Sequence, residues 1–197
     1  MVALPLIALA GYGGFLSATF GWRTVRAKRT QTGPSWRKPV SRADAVGETA
    51  CLAGCCLSLT APLVAIVGLV EAPHVDWVVL RSVASVACAA LGAAIAVSAQ
   101  RDLGEQWRAG VEASASLVTT GAYARVRNPF YVGCFFASAA VLVAVPSAVA
   151  LAGFALHVVA AEVIVRAVEE PLLSRVHGDD FARYKARTGR FVPRLNF

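Results

Sequence analysis

Long uncharged runs alternate with short polar stretches along the chain. Val2 to Trp22 carries no charged residue over 21 positions, long enough as a helix to cross about 30 Å of hydrocarbon. Thr49 to Val70 is a second such run, and Trp77 to Ala99 a third, interrupted only by Arg81. Phe130 to Val168 is a longer apolar block of 39 residues. At a rise of about 1.5 Å per residue, that is roughly what two helices need to cross and return. Pro146-Ser147 is the natural turn between them, because proline disfavours helix before it and suits the first turn after it. The pattern predicts an all-α, polytopic membrane fold in one domain. Its five transmembrane helices fall at about 2–22, 49–70, 77–99, 129–145 and 147–168. After Pro171, apolar positions at Leu172, Leu173, Val176, Phe181 and Tyr184 predict a C-terminal tail of two short amphipathic helices, broken at Gly178 and restarted by Asp179.

Composition agrees. Hydrophobic residues make up 57% and charged residues 16% of the 197, against about 25% charged in a soluble globule. This excludes a disordered chain, a coiled coil and a disulfide-stapled miniprotein. The net charge of +7 would suit nucleic acid, but its distribution points to a membrane instead. Seven Lys/Arg lie in Arg23–Glu48, four in Gln100–Asn128 and seven from Arg166 onward, while Glu71–Asp76 and the Pro146 turn hold none. Five spans put these basic regions on one side, leaving only Arg81 toward the other. By the positive-inside rule the N-terminus lies outside and the C-terminus in the cytoplasm, in the cell membrane if the source is bacterial. Trp22 and Trp77 mark span ends, where indole favours the interface.

The first run lacks a basic leader and ends directly in Trp22-Arg23, so it reads as a retained span rather than a cleaved signal. The basic loop with Gly33-Pro34 and Lys38-Pro39 reads as irregular chain near anionic headgroups. Small residues recur at four-residue steps, as Ala50, Gly54 and Ser58, and again as Ala84, Cys88, Gly92 and Ala96. Such stripes let membrane helices approach closely, within one chain or between copies. The five cysteines, Cys51, Cys55, Cys56, Cys88 and Cys134, all lie within spans. They read as small packing residues, with no metal site expected.

The chemistry concentrates in two later segments. From Leu117 to Gly133, polar and aromatic groups crowd the mouth of span four. Gly121 suits a turn with positive φ. Asn128-Pro129 reads as a helix start, with Asn128 as cap and Pro129 in the first turn. Exposed amides there, with Arg125 and Arg127, would receive a carboxylate or phosphate. A capped helix anchored by its arginines accounts for the same residues equally well. Along span five come His157, Glu162, Arg166, Glu169 and Glu170. Glu162, Arg166 and Glu170 are spaced four apart and share a stripe. Ionisable groups in a membrane helix face a partner or a wet cavity. Glu162 reads as part of an interfacial salt-bridge ladder and His157 as a packing or hydrogen-bonding residue, leaving Arg166, Glu169 and Glu170 as site candidates. Basic residues Arg183, Lys185, Arg187 and Arg190 are expected to face headgroups or solvent.

The succession Leu117-Val-Thr-Thr-Gly-Ala-Tyr, Arg127-Asn-Pro-Phe-Tyr-Val-Gly, Arg166-x-x-Glu-Glu-Pro-Leu and Gly178-x-x-Phe-x-x-Tyr resembles the isoprenylcysteine carboxyl methyltransferase and phospholipid methyltransferase superfamily. The resemblance covers about the last 80 residues and implies a membrane-embedded enzyme using S-adenosylmethionine. The cofactor region it implies is about 115–133 with 162–197. Gly121, Tyr123, Arg127, Asn128, Pro129 and Tyr131 would line the cofactor, with Glu169 and Glu170 toward its ammonium or ribose. Arg166 and Glu170 would be catalytic. The acceptor implied is a lipophilic or prenylated small molecule from the membrane lipid. Ala115 and Asn128 stand where prenylcysteine-modifying members have histidine, so that specificity does not follow. Membrane sterol-type reductases using NADPH share a similar C-terminal pattern, and a non-catalytic scaffold is the third reading.

Overall fold

The computed structural model describes residues 2–21, 39, 41–69, 77–104 and 116–194. Trp22, the loop around Gly33-Pro34 and Lys38, the 71–76 link and Ala115 lie outside them. Among the described residues every regular element is a helix, with one isolated parallel bridge between Val126 and Gly189.

Helix α1 spans Ala3–Leu16 and continues through a π-turn, Ser17–Gly21. Helix α2 is Arg42–Ile66 and α3 is Val78–Leu103. A 3-10 turn, Gly121–Ala124, precedes α4, Pro129–Ala144. Helix α5, Ala148–Ile164, passes through a second π-turn, Val165–Glu169, directly into α6, Glu170–Arg187. Four of these helical stretches are long and apolar enough to cross a membrane, and α4 is a shorter apolar helix. Its 16 residues rise about 24 Å, less than a full hydrocarbon core. Pro129 fixes its start, and the Pro146 turn follows its end.

Local chemistry sets the limits. Helix α2 begins seven residues before the uncharged run because Ser41 caps it, its hydroxyl accepting from the Asp44 amide at 3.1 Å. Its last turn closes at Gly68, where φ is +75°. The Pro146-Ser147 turn falls between α4 and α5 as the sequence suggests, with Ser147 Oγ accepting from the Ala150 amide at 3.2 Å. Arg81 is tolerated in an apolar helix because it binds the end of α4. Its guanidinium donates to the Val143 and Ala144 carbonyls, each at 3.0 Å, where the helix leaves its acceptors open and its dipole is negative.

Two tight helix pairs build the bundle. In α3 against α4, a Cβ on Gly92 would lie 2.7 Å from the Gly133 carbonyl, and one on Gly133 as close to Gly92. Ser85 Oγ donates to Ala140 O at 2.9 Å. The buried stripe of α3 is Ser85, Ala89, Gly92, Ala96 and Ala99. It runs one position beyond the expected Ala84 and Cys88, which flank it half-buried. In α2 against α5, Gly54 meets the His157 ring and Gly153 meets Ser58. Helix α1 closes the bundle through Tyr12 and Phe15, packed with Ala61, Ala96, Ala137, Val141 and Ala150. These contacts are backbone-close and built from small residues, as expected where lipid offers no hydrophobic drive for association.

Candidate functional site

The α4–α5 hairpin brings the start of α4, the end of α5 and α6 to one end of the bundle. Gly121 opens the segment leading there with φ +60°, the positive-φ turn its sequence suggests. Asp102, at the end of α3, holds this turn: its carboxylate accepts from the Ala122 amide at 2.7 Å. A Cβ on Gly121 would collide with that carboxylate.

The segment then pairs with the C-terminal segment beyond α6. Arg127 N donates to Gly189 O at 2.8 Å and Asn128 N to Arg190 O at 3.2 Å. Asn128 flanks α4, but its side chain does not cap it. Instead Nδ2 donates to Arg190 O at 3.2 Å, tying the C-terminal segment down. Pro129 takes the first turn of α4 as expected. Tyr184 adds a further tie, its hydroxyl donating to Tyr123 O at 2.7 Å.

Charge is organised around Glu170, which is buried. Arg127 Nη2 lies 3.0 Å from its Oε1, and Arg190 grips it with two hydrogen bonds of 2.9 Å. Lys185 Nζ stands 3.7 Å away. Burial alone would raise the Glu170 carboxyl, but the hydrogen bonds and charges of Arg190 and Arg127 outweigh it and hold the group at about 2. The same bond to Glu170 pushes the Arg190 guanidinium up. Arg127 Nη1 also donates to the Lys185 carbonyl in the last turn of α6 and to the Thr188 carbonyl just after it, while its buried Nε has no hydrogen-bond partner among the described residues. Arg190 therefore turns inward, contrary to the expectation that it faces headgroups or solvent. An amphipathic pattern sorts apolar from polar, but it cannot distinguish a solvated arginine from one folded onto a distant carboxylate.

Glu169 points elsewhere. Its Oε1 accepts from the Tyr131 hydroxyl at 2.9 Å. Around this pair stand Phe191, edge-on to both Tyr131 and Phe135 with ring centres 6.4 and 5.3 Å apart, and Phe130, 6.0 Å from Tyr131. Burial, followed by the Glu169 carboxylate, pushes the nearby Tyr123 phenol well up; burial holds Tyr184 up at about 12. Arg166 lies apart from both, on an exposed face, bonded to Glu162 one turn earlier. Glu162 is also 3.7 Å from Arg190 Nη1, linking the outer pair to the Glu170 cluster. The ladder expected of Glu162 is thus present, with Arg190 as a rung.

The helix passes Pro171 without a break, because the π-turn Val165–Glu169 puts that proline in the first turn of α6. The kink falls at Gly178, with φ +50°, as its sequence suggests.

A helical integral membrane protein with a polar, aromatic-walled site at one end of its bundle is the class these features define. A model of the phospholipid methyltransferase family matches residues 80–180, from α3 into α6. The match covers just over half the chain, and the protein belongs to this family of membrane methyltransferases. No curated protein matches the chain.

Proposed function

We propose that this membrane methyltransferase takes its methyl group from S-adenosylmethionine and delivers it to a lipophilic acceptor, a lipid or prenylated small molecule entering from the bilayer. The observation that carries the reading is the Tyr131–Glu169 pair, 2.9 Å apart, beside the aromatic rings of Phe130, Phe135 and Phe191.

The donor set suits such a cofactor. A carboxylate against aromatic faces favours a cation, through charge and through the ring quadrupole. The buried Arg127 Nε, without a partner among the described residues, and the first-turn amides of α4 offer donors for a carboxylate. When bound, S-adenosylmethionine supplies an electrophilic methyl group on a sulfonium. Glu169 would meet the cationic part, oriented by the Tyr131 hydroxyl. Tyr123, Asn128 and Pro129 would form the wall contributed by the loop and the α4 start, and Gly121 the turn that lets the loop approach. Catalysis then rests on alignment and exclusion of water, which the aromatic wall provides.

Glu170 and Arg166 divide the remaining work. With both oxygens engaged, Glu170 holds Arg127 and the C-terminal segment in position. Arg166, on the outer face, would orient an acidic or phosphate-bearing acceptor. We further infer that the site faces the cytoplasm, from the distribution of Lys and Arg. Asn128 has no proton to exchange near neutral pH, unlike the histidine of prenylcysteine-modifying relatives. Family membership favours methyl transfer over an NADPH reduction.

The test is incubation of the protein in lipid vesicles with methyl-labelled S-adenosylmethionine and membrane lipid extract. Label in an organic-soluble product is the expected result. Label that stays in the aqueous phase with every acceptor would overturn the lipophilic assignment.

A further inference from the structure

A second polar cluster lies inside the bundle, away from the site at its end. Cys51 and Cys55 project from one face of α2, one turn apart. His157 faces them from α5. The two Sγ atoms and a ring nitrogen of His157 all lie within 4.8 Å of one another.

The histidine is already oriented. Its Nδ1 is 2.8 Å from the Gly153 carbonyl one turn earlier. A carbonyl only accepts, so Nδ1 carries the proton and Nε2 presents its lone pair. That lone pair points into the cluster, with Cys55 Sγ at 3.5 Å and Tyr12 Oη at 3.2 Å. A backbone carbonyl fixing the ring through its other nitrogen is the usual support of a metal-bound histidine. Gly54 keeps the ring close to α2, since a Cβ there would lie 2.9 Å from Nδ1.

We propose that Cys51, Cys55 and His157 bind a zinc ion that ties α2 to α5, with the Tyr12 hydroxyl within reach of the fourth position. Zinc–sulfur and zinc–nitrogen bonds of about 2.3 and 2.0 Å in a tetrahedron put neighbouring S and N donors roughly 3.5 Å apart, the separation Cys55 and His157 already have. Two thiolates and an imidazole are soft donors suited to Zn²⁺ or Cu⁺. Charge selects between these ions. Binding Zn²⁺ releases two thiol protons, and the two thiolates then balance the metal. A neutral complex fits an apolar span, whereas Cu⁺ would leave a net negative charge there. This proposal departs from the expectation that the cysteines only fill helix contacts. Cysteines four apart on one helix are a weak signal by themselves, and only the fold brings His157 to them.

The experiment measures metal content of the full-length protein, purified in detergent from zinc-supplemented cells. About one zinc per chain is expected, falling below a tenth of that in a Cys51→Ser/Cys55→Ser double variant and unchanged in Cys56→Ser. To remove dependence on variant folding, the wild-type protein is also stripped with chelator and loaded with Co²⁺. Visible bands of tetrahedral thiolate-bound cobalt are expected. Less than a tenth of a zinc per chain together with no cobalt bands would overturn the proposal. So would the same zinc content in the double variant, or copper in place of zinc.

Discussion

Arg127 and Glu170 lie 43 residues apart in sequence and meet at 3.0 Å, each side chain only 9% exposed. Arg127 precedes α4 and Glu170 opens α6, so this contact fixes the loop wall of the site against the helix that carries Glu169. Removing the Glu170 charge leaves the buried Arg127 guanidinium without its carboxylate. Glu170→Gln is expected to lower stability by about 2–4 kcal/mol, read as an earlier thermal unfolding in detergent. An unchanged unfolding temperature would contradict the role assigned to this pair.

The same pair predicts a pH dependence. The Glu170 carboxyl is held at about 2, below its ordinary value of 4.5. Its contribution is therefore fully present above about pH 4.5 and is lost as pH falls toward 2. The stability difference between wild type and Glu170→Gln should be constant from pH 7 to 5 and shrink below 4.5. Unfolding measured across this range checks the sign.

Tyr131→Phe removes the hydroxyl bonded to Glu169 and keeps the ring. Affinity for S-adenosylhomocysteine should fall by roughly tenfold, about 1.4 kcal/mol, with folding intact. Calorimetric titration distinguishes this from Tyr131→Ala, where loss of the aromatic wall should weaken binding further.

Arg166→Ala separates an acceptor role from a structural one. The Arg166 side chain is 61% exposed, and an exposed pair with Glu162 contributes only about 0.3–0.5 kcal/mol. Stability should hardly change and cofactor affinity should be retained, while turnover falls by roughly tenfold or more. Equal turnover in both proteins would remove Arg166 from the site.

Gly121→Ala tests the turn. At φ +60° a Cβ is strained by about 1–2 kcal/mol, and here it also meets the Asp102 carboxylate. Loss of cofactor binding should exceed that of Asp102→Ala, which removes the bond to Ala122 but leaves the turn unobstructed. The two titrations together check the order.

The apolar runs and the charge distribution made the helical membrane fold readable, because the bilayer forces length and polarity onto each span. Gly121, Pro129, Ser147 and Gly178 were legible as turns and starts because each acts within its own turn, through its backbone or, for Ser147, through a cap three residues on. Arg190 and Asp102 were not, since each acts across the fold on residues 20 positions away. His157 and the two cysteines escaped for the same reason: their spacing is local on α2, but their partner arrives from α5. The helix limits shifted where a cap such as Ser41 outweighed the change from apolar to charged residues.

Use of S-adenosylmethionine as the methyl donor is tested by calorimetric titration of the detergent-purified protein with S-adenosylhomocysteine, with NADPH in parallel. Micromolar binding of the former, about −8 kcal/mol, and none of the latter is the expected result. Binding of NADPH alone, or of neither, would contradict it.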